Sequence, residues 1–188
     1  MLRYIYGTDL HTFPALRDAE RYRYDDLNPL YVIWEEPDGS HGGSMRFLPT
    51  TGPVMVNDHF GHLTGGVPIA SPRIWECTRF CLSRGVGSHV AAALMLGGGE
   101  IMQNFDVDHF VGVFDARMVR IYRMIGSSPE VLGSEGTGRS QISVGLWQFD
   151  PDAKAAVAQR AGVSPQLSRQ WFDRCFGCDR AQNLVRTG

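Results

Sequence analysis

The spacing of apolar and polar positions along this chain predicts most of its elements. "NPLYVIWEE" (28–36) is an apolar run rich in β-branched and aromatic residues, closed by "PDGS". It predicts a strand, a hairpin turn and a second strand over "GGSMRFLP" (42–49). "TTGPVMVNDHFGHLTGGVPIASP" (50–72) is broken by Gly and Pro and reads as a loop with one short helical turn. "RIWECTRFCL" (73–82) reads as a third strand, and "SHVAAALMLGGGEIMQNF" (88–105) as a helix with Ser88 as its N-cap. An interior Gly costs about 1 kcal/mol relative to Ala. Gly97, Gly98 and Gly99 therefore point to close packing of that helix on a sheet, or to a helix break. They do not follow a strand, which speaks against a phosphate loop.

Further along, "HFVGVFD" (109–115) predicts a short buried strand and "ARMVRIYRMIG" (116–126) a helix stopped at Gly126. "PEVLG" and "QISVGLWQFD" predict two more strands. "DAKAAVAQRAG" and "SPQLSRQWFDRCFG" predict two helices, the second capped by Ser164 with Pro165 in its first turn. Strands that alternate with helices, after an early hairpin, predict an α/β fold with a mixed sheet of about six strands in three layers, α/β/α.

Composition narrows the function classes. The 188 residues suit one domain, 43% are hydrophobic and 20% charged, and the net charge of -2 gives no whole-domain footprint for nucleic acid. No run approaches a membrane span, and "MLRYIYGTDLHTF" lacks the apolar centre of a secretion signal. A cytoplasmic protein is expected. Cys77 and Cys81 flank a core strand as small hydrophobes. Cys175 and Cys178 form a single CxxC, a weak zinc signal without a second pair, so no metal site is expected.

Charge inside the strands is the unusual feature. Arg46, Glu76 and Arg79 stand in runs that otherwise read as core, and Asp25 stands just ahead of the first predicted strand. Burying such groups is costly unless they are paired. Glu76 and Arg79 are three apart, so on a regular strand they point to opposite faces, and only a bulge or twist brings them to one site. The pattern fits a buried Arg–Glu network that fixes the sheet, or an active site; the two are compatible.

"YDDLNPLYVIW", "GGSMRFLPTTGPVM", "IWECTRF" and "FVGVFDARMVRIYRMIG" together resemble the acyl-homoserine lactone synthases, the autoinducer synthases of bacterial quorum sensing. The resemblance runs from about Asp25 to Phe149. It implies a fold similar to the N-acetyltransferases, with an acyl tunnel between core strands and no cofactor. It implies acyl transfer from acyl carrier protein to the amine of S-adenosylmethionine, lactone closure and loss of methylthioadenosine. Carried over by position, it implies Glu76, Arg46 and Arg79 as catalytic residues and Asp25, Phe80, Gly112 and Val113 as substrate-binding residues. Glu76 is the candidate base for the attacking amine. Arg46 is expected to pair with Asp25 or Glu76, and Arg79 to act similarly.

The family's N-terminal pattern is departed from in "TDLHTFPALRDAERYRYDD". There is no Leu-Gly-Trp, Arg17 is followed four residues later by Arg21 instead of Phe, and Tyr22 stands where an aspartate belongs. The expected organisation is one synthase domain over 1–188 lacking part of the usual N-terminal substrate-binding segment. Two other readings stay open: a related acyl-coenzyme A-dependent N-acyltransferase, although no Q/R-x-x-G-x-G/A loop precedes a helix, and a non-catalytic member.

Two further expectations follow. Arg117, Arg120 and Arg123 recur every three residues on a predicted helix and form a candidate docking face for the acidic carrier protein. Gly112 falls where makers of 3-oxo chains place a threonine, so a dry tunnel without a donor is expected to disfavour 3-oxo chains. Leu94, Met95, Met118, Val119 and Ile121 are expected to line it with apolar, partly flexible side chains.

Overall fold

In a computed structural model, which describes residues 1–12 and 23–185, one sheet of seven strands organises the chain. The strands are β1 (Leu2–Tyr6), β2 (Leu30–Glu35), β3 (His41–Pro49), β4 (Ile74–Leu82), β5 (His109–Asp115), β6 (Glu130–Glu135) and β7 (Ile142–Gln148). Their order across the sheet is β1-β2-β3-β4-β5-β7-β6. All pairings are antiparallel except that of β4 with β5. That parallel pairing holds only at Ile74↔His109, Trp75↔Phe110 and Glu76↔Val111, and beyond these positions the two strands part.

Among the described residues, five α-helices flank the sheet: α1 (Met55–His59), α2 (Ser88–Asn104), α3 (Ala116–Ile125), α4 (Pro151–Ala161) and α5 (Pro165–Val185). The mixed α/β arrangement is the one expected, but its layers are unequal. Residues of α2, α3, α4 and α5 join one core with Met45, Phe47, Phe110, Phe114 and Trp147 of the sheet. On the other face Leu48, Val111 and Val144 pack with Val54, Val56 and Leu63, which belong to the loop before β4, to α1 and to a 3-10 turn at Gly61–Thr64. A thick helical layer therefore backs one side of the sheet, and short elements cover the other.

The glycines of α2 meet the close-packing expectation. A Cβ on Gly97 would lie 2.6 Å from Val32 Cγ1 of β2, and one on Gly98 would lie 3.2 Å from a ring atom of Phe110. Gly126 ends α3 with φ 79°, and the Leu167 N–H donates to Ser164 Oγ at 3.1 Å, as expected of a cap. Ser88 does not cap α2: Gly87 holds that place, without a side-chain bond. Asp115 and Asp150 cap α3 and α4, which the sequence reading did not foresee.

One strand was missed. β1 precedes the first predicted strand and pairs antiparallel with β2, Leu2 opposite Trp34 and Tyr6 opposite Leu30. Asp25 thus sits in a 3-10 turn (Arg23–Leu27) between β1 and β2, not ahead of the sheet. Arg17, Arg21 and Tyr22, on which the N-terminal departure rests, lie outside the described residues, as does the side chain of Cys178. Cys175 is exposed, and among the described residues no group of three or more His, Cys, Asp and Glu is placed to hold a metal. No described helix is long and apolar enough to cross a membrane.

Candidate functional site

On the thinly covered face of the sheet, side chains of β2, β3 and β4 build a buried polar cluster. Arg46 of β3 is 3% exposed and Asp25 6%. Arg46 Nη1 donates to Asp25 Oδ1 at 2.7 Å and Arg46 Nε donates to Thr78 Oγ1 at 3.0 Å. Tyr31 of β2 donates its hydroxyl to the same Asp25 oxygen at 2.6 Å. The Arg46 guanidinium also lies 5.5 Å from the centre of the Tyr24 ring, whose hydroxyl donates to Asp58 at 2.9 Å. Burial, then the bond to Asp25, pushes the Tyr31 phenol well above its ordinary value, so it stays a donor. Of the two partners expected for Arg46, Asp25 is the direct one.

Glu76 lies on the same face of β4 as Thr78 and is 1% exposed. Its carboxylate accepts the Met55 N–H at 3.1 Å and the Val56 N–H at 2.6 Å, at the start of α1. Burial raises its pKa; the two amides and the Arg46 charge oppose that rise without cancelling it. Glu76 is thus a carboxylate of raised basicity that also anchors the loop after β3. The same loop is tied twice more. Thr50 Oγ1 lies 2.8 Å from the Ile74 carbonyl and accepts from the Ser71 N–H at 3.0 Å. The Asn57 amide spans both backbone groups of Ile69, at 2.8 and 2.9 Å. The turn chemistry of "PTTGP" thus opens a loop that is pinned back onto β4.

Arg79 resolves the spacing problem. Between Thr78, opposite Arg46, and Cys81, opposite Ser44, β4 has one residue more than β3. Arg79 is that residue, with φ 53°, a left-handed backbone that a non-Gly side chain adopts at a cost of about 1–3 kcal/mol. Arg79 is exposed, and its charge acts on the Tyr31 phenol. The bulge leaves Thr78 and Cys81 on the Arg46 face and sends Phe80 to the opposite face with Cys77.

Where β4 and β5 part, a cavity of about 350 Å³ opens. Its walls include Met45, Cys77, Phe80, Met95, Phe110, Gly112, Phe114, Met118, Tyr122 and Trp147, and Thr78 and Val113 reach it from the polar side. Thr78 therefore belongs to both halves of the site. Phe80, Gly112 and Val113 stand on the cavity wall. Met95 and Met118 line it too, but Leu94 is packed in the core and Val119 is 41% exposed on the outer face of α3.

Two expectations about the tunnel need correction. A Cβ on Gly112 would lie 2.8 Å from the Cys77 carbonyl oxygen and 3.3 Å from the Trp147 ring, so a threonine does not fit there without moving backbone. Gly112 permits the close approach of β5 to β4. Nor is the cavity without a donor, since Tyr122 of α3 is on its wall. Tyr31, Thr78 and Tyr122 were not singled out from the sequence, where each reads as an ordinary strand or helix residue.

The arginine triplet lies where the sequence puts it, on the exposed side of α3. Arg117 is engaged by the Asp115 carboxylate, Nε at 3.0 Å and Nη2 at 2.5 Å. Arg120 and Arg123 make no ion pair with a described residue, and Met124, 58% exposed, stands beside them.

Residues 14–157 match the family model described as autoinducer synthase. Over 140 residues the chain is 37% identical to an acyl-homoserine-lactone synthase of Rhizobium etli, a span covering 71% of this chain and 66% of that protein. It is 32% identical over 148 residues to the acyl-homoserine-lactone synthase of Ralstonia nicotianae, covering 74% of this chain and 72% of the relative. Among solved structures, the CoA-dependent acyl-homoserine lactone synthase MesI aligns with a TM-score of 0.74 at 21% identity, over 89% of this chain and 98% of that one. BjaI, described as CoA-dependent and solved with SAM and isopentyl-CoA, aligns with a TM-score of 0.73 at 18% identity, over 89% and 91%. At such identities the two structures share the fold with this chain.

Proposed function

Since the chain belongs to the autoinducer synthase family, we propose that it is an acyl-homoserine lactone synthase that acylates the α-amine of S-adenosylmethionine. The amine nitrogen attacks the carbonyl carbon of an acyl thioester, the carbon–sulfur bond breaks, and the donor leaves as a thiol. A carboxylate oxygen of the acylated methionine then attacks its own γ-carbon. The sulfonium bond breaks, the lactone closes and neutral methylthioadenosine departs. The same reading places the protein in the cytoplasm, in quorum signalling.

One observation carries this reading: Thr78 joins the buried Asp25–Arg46 pair to the apolar cavity through the gap between β4 and β5. A charged substrate and an acyl chain can meet there from opposite faces of the sheet. In this reading Asp25 faces the cationic end of S-adenosylmethionine, and Arg46 holds Asp25 in place. Glu76, with its raised basicity, takes the amine proton directly or through water. Arg79 adds a second cation at the bulge, and Phe80, Gly112 and Val113 shape the acyl path. We assign the donor to an acyl carrier protein, docked on the side of α3 that carries Arg120 and Arg123, with Arg117 partly neutralised by Asp115.

The test is mass-spectrometric detection of lactone from the purified chain with S-adenosylmethionine and acyl thioesters offered on carrier protein and on coenzyme A. Lactone from the carrier-borne thioester at lower KM is the expected result. Preference for coenzyme A overturns the donor assignment alone. No lactone from either donor overturns the synthase reading in favour of a non-catalytic role.

A further inference from the structure

Tyr122 presents a donor to the cavity that the protein itself does not use. Its ring is locked edge-on between Phe114, centroids 5.4 Å apart, and Trp147, 5.0 Å apart. The hydroxyl has no hydrogen-bond partner among the described residues, and it is not sealed in the core either: the residue borders the cavity. Two of its polar neighbours on the wall are committed. Trp147 spends its indole N–H on the Ser127 carbonyl at 3.0 Å, and Arg117 is held by Asp115. Burial and the nearby Cys77 and Asp115 push the phenol pKa up, so it keeps its proton at neutral pH.

We infer that Tyr122 selects acyl chains that carry an oxygen, by donating its phenol hydrogen to that oxygen. The inference rests on the reading of this cavity as the acyl site. A plain hydrocarbon chain in the cavity displaces water from the hydroxyl and offers nothing in return. A keto or hydroxyl oxygen on the chain replaces that water and loses its own solvent bond without penalty. The difference is on the order of tenfold to a hundredfold in specificity. The rings of Phe114 and Trp147 fix the direction of the phenol, so the donor is already aimed before the chain arrives.

The experiment is a competition among unsubstituted, 3-hydroxy and 3-oxo acyl thioesters of one chain length, on the donor that supports turnover, with the wild-type chain and with Tyr122→Phe. Wild type is expected to favour the oxygen-bearing chains, and Tyr122→Phe to lower the ratio of kcat/KM values, oxygen-bearing over unsubstituted, by roughly tenfold or more. The variant removes a hydroxyl without a protein partner, so its Tm should match that of wild type. A ratio unchanged in Tyr122→Phe overturns the assignment. If the variant does not fold, calorimetric binding of 3-oxo and unsubstituted lactones to wild type decides, and equal affinity overturns it. Met118→Trp separates this outcome from failure of the acyl-site reading. It fills the same cavity, and a KM that stays constant for every chain overturns the site itself, whatever Tyr122 does.

Discussion

Arg46–Asp25 and Lys154–Glu100 are ion pairs 2.7 and 3.0 Å long, one on each side of the sheet; the first is fully buried, and in the second Glu100 is buried and Lys154 partly so. Their partners differ. Glu100 of α2 takes the Ser168 hydroxyl of α5 at 2.7 Å and the ammonium of Lys154 from α4, while Lys154 also donates to Gln103 at 2.6 Å. All these groups come from the helical layer, and together they bolt three helices to one another. Arg46 and Asp25 draw their partners from strands and a turn, and the chain of bonds ends at Thr78, which faces the cavity. On the proposed reading, the same pairing of charges is a fastener in one place and the wall of a reaction chamber in the other. Burial of a charge pair does not distinguish the two uses; what its last hydrogen bond points at does.

The sharpest way to break this comparison is Arg46→Ala. It leaves a buried carboxylate without its cation, which costs about 3–5 kcal/mol. Lactone formation should vanish even at temperatures where urea melts show the variant folded; turnover near that of wild type would make Arg46 a fastener like Lys154. Lys154→Met is the counterpart. About 3 kcal/mol should be lost in the same melts, while turnover per folded molecule stays within about twofold.

Glu76→Gln asks whether the buried carboxylate of β4 is an anchor or a base. Its amide can accept one of the two α1 N–H groups but not both, a loss of about 1–3 kcal/mol. Turnover should fall at least about a hundredfold if Glu76 is the base, whereas an anchor alone would leave the rate per folded molecule nearly intact. Because burial raises the Glu76 pKa, the acid limb of the wild-type kcat/KM profile should lie above the ordinary glutamate range. The sign for stability is opposite. The folded state holds this proton to higher pH than the unfolded chain, so this group weakens the fold as pH rises through the gap between the ordinary and the raised value. The smallest effect is expected at the surface. Arg120→Glu with Arg123→Glu should raise KM for the carrier protein several-fold at low salt and flatten its salt dependence, with Tm unmoved.

Much of this was readable in the chain because burial and period coincide there. The hairpin of β2 and β3, the strand β5 and the caps at Ser164 and Gly126 follow from apolar runs and punctuation. Arg46, Glu76 and Asp25 stood out because a charge in or beside an apolar strand needs a reason. β1 has the right alternation, Leu2 and Tyr4 inward and Arg3 outward, but five residues are too few to declare a strand without seeing β2 beside them. Tyr31 sits inside "LYVIW", where an aromatic reads as an ordinary core strand residue, so its hydroxyl carried no signal. Thr78 and Tyr122 acquire meaning only from a cavity formed by strands distant in sequence. The unequal layers were hidden for the same reason: α3, α4 and α5 all show one apolar side, and nothing in a period says which face of the sheet that side will meet.

The bulge at Arg79 means that β4 runs in two phases. Up to Thr78 the even-numbered positions look toward the charged pair; after the extra residue the odd-numbered Cys81 does, and Phe80 turns to the cavity. Removing Arg79 altogether would merge the two phases into one regular strand. Phe80 would still lie opposite Met45 on the cavity side and Cys81 opposite Ser44 on the charged side; flattening the bulge with Arg79 kept in register is what would exchange the contents of the two compartments. The extra residue is thus a place where β4 can turn one arginine out to solvent without changing which compartment each later residue faces.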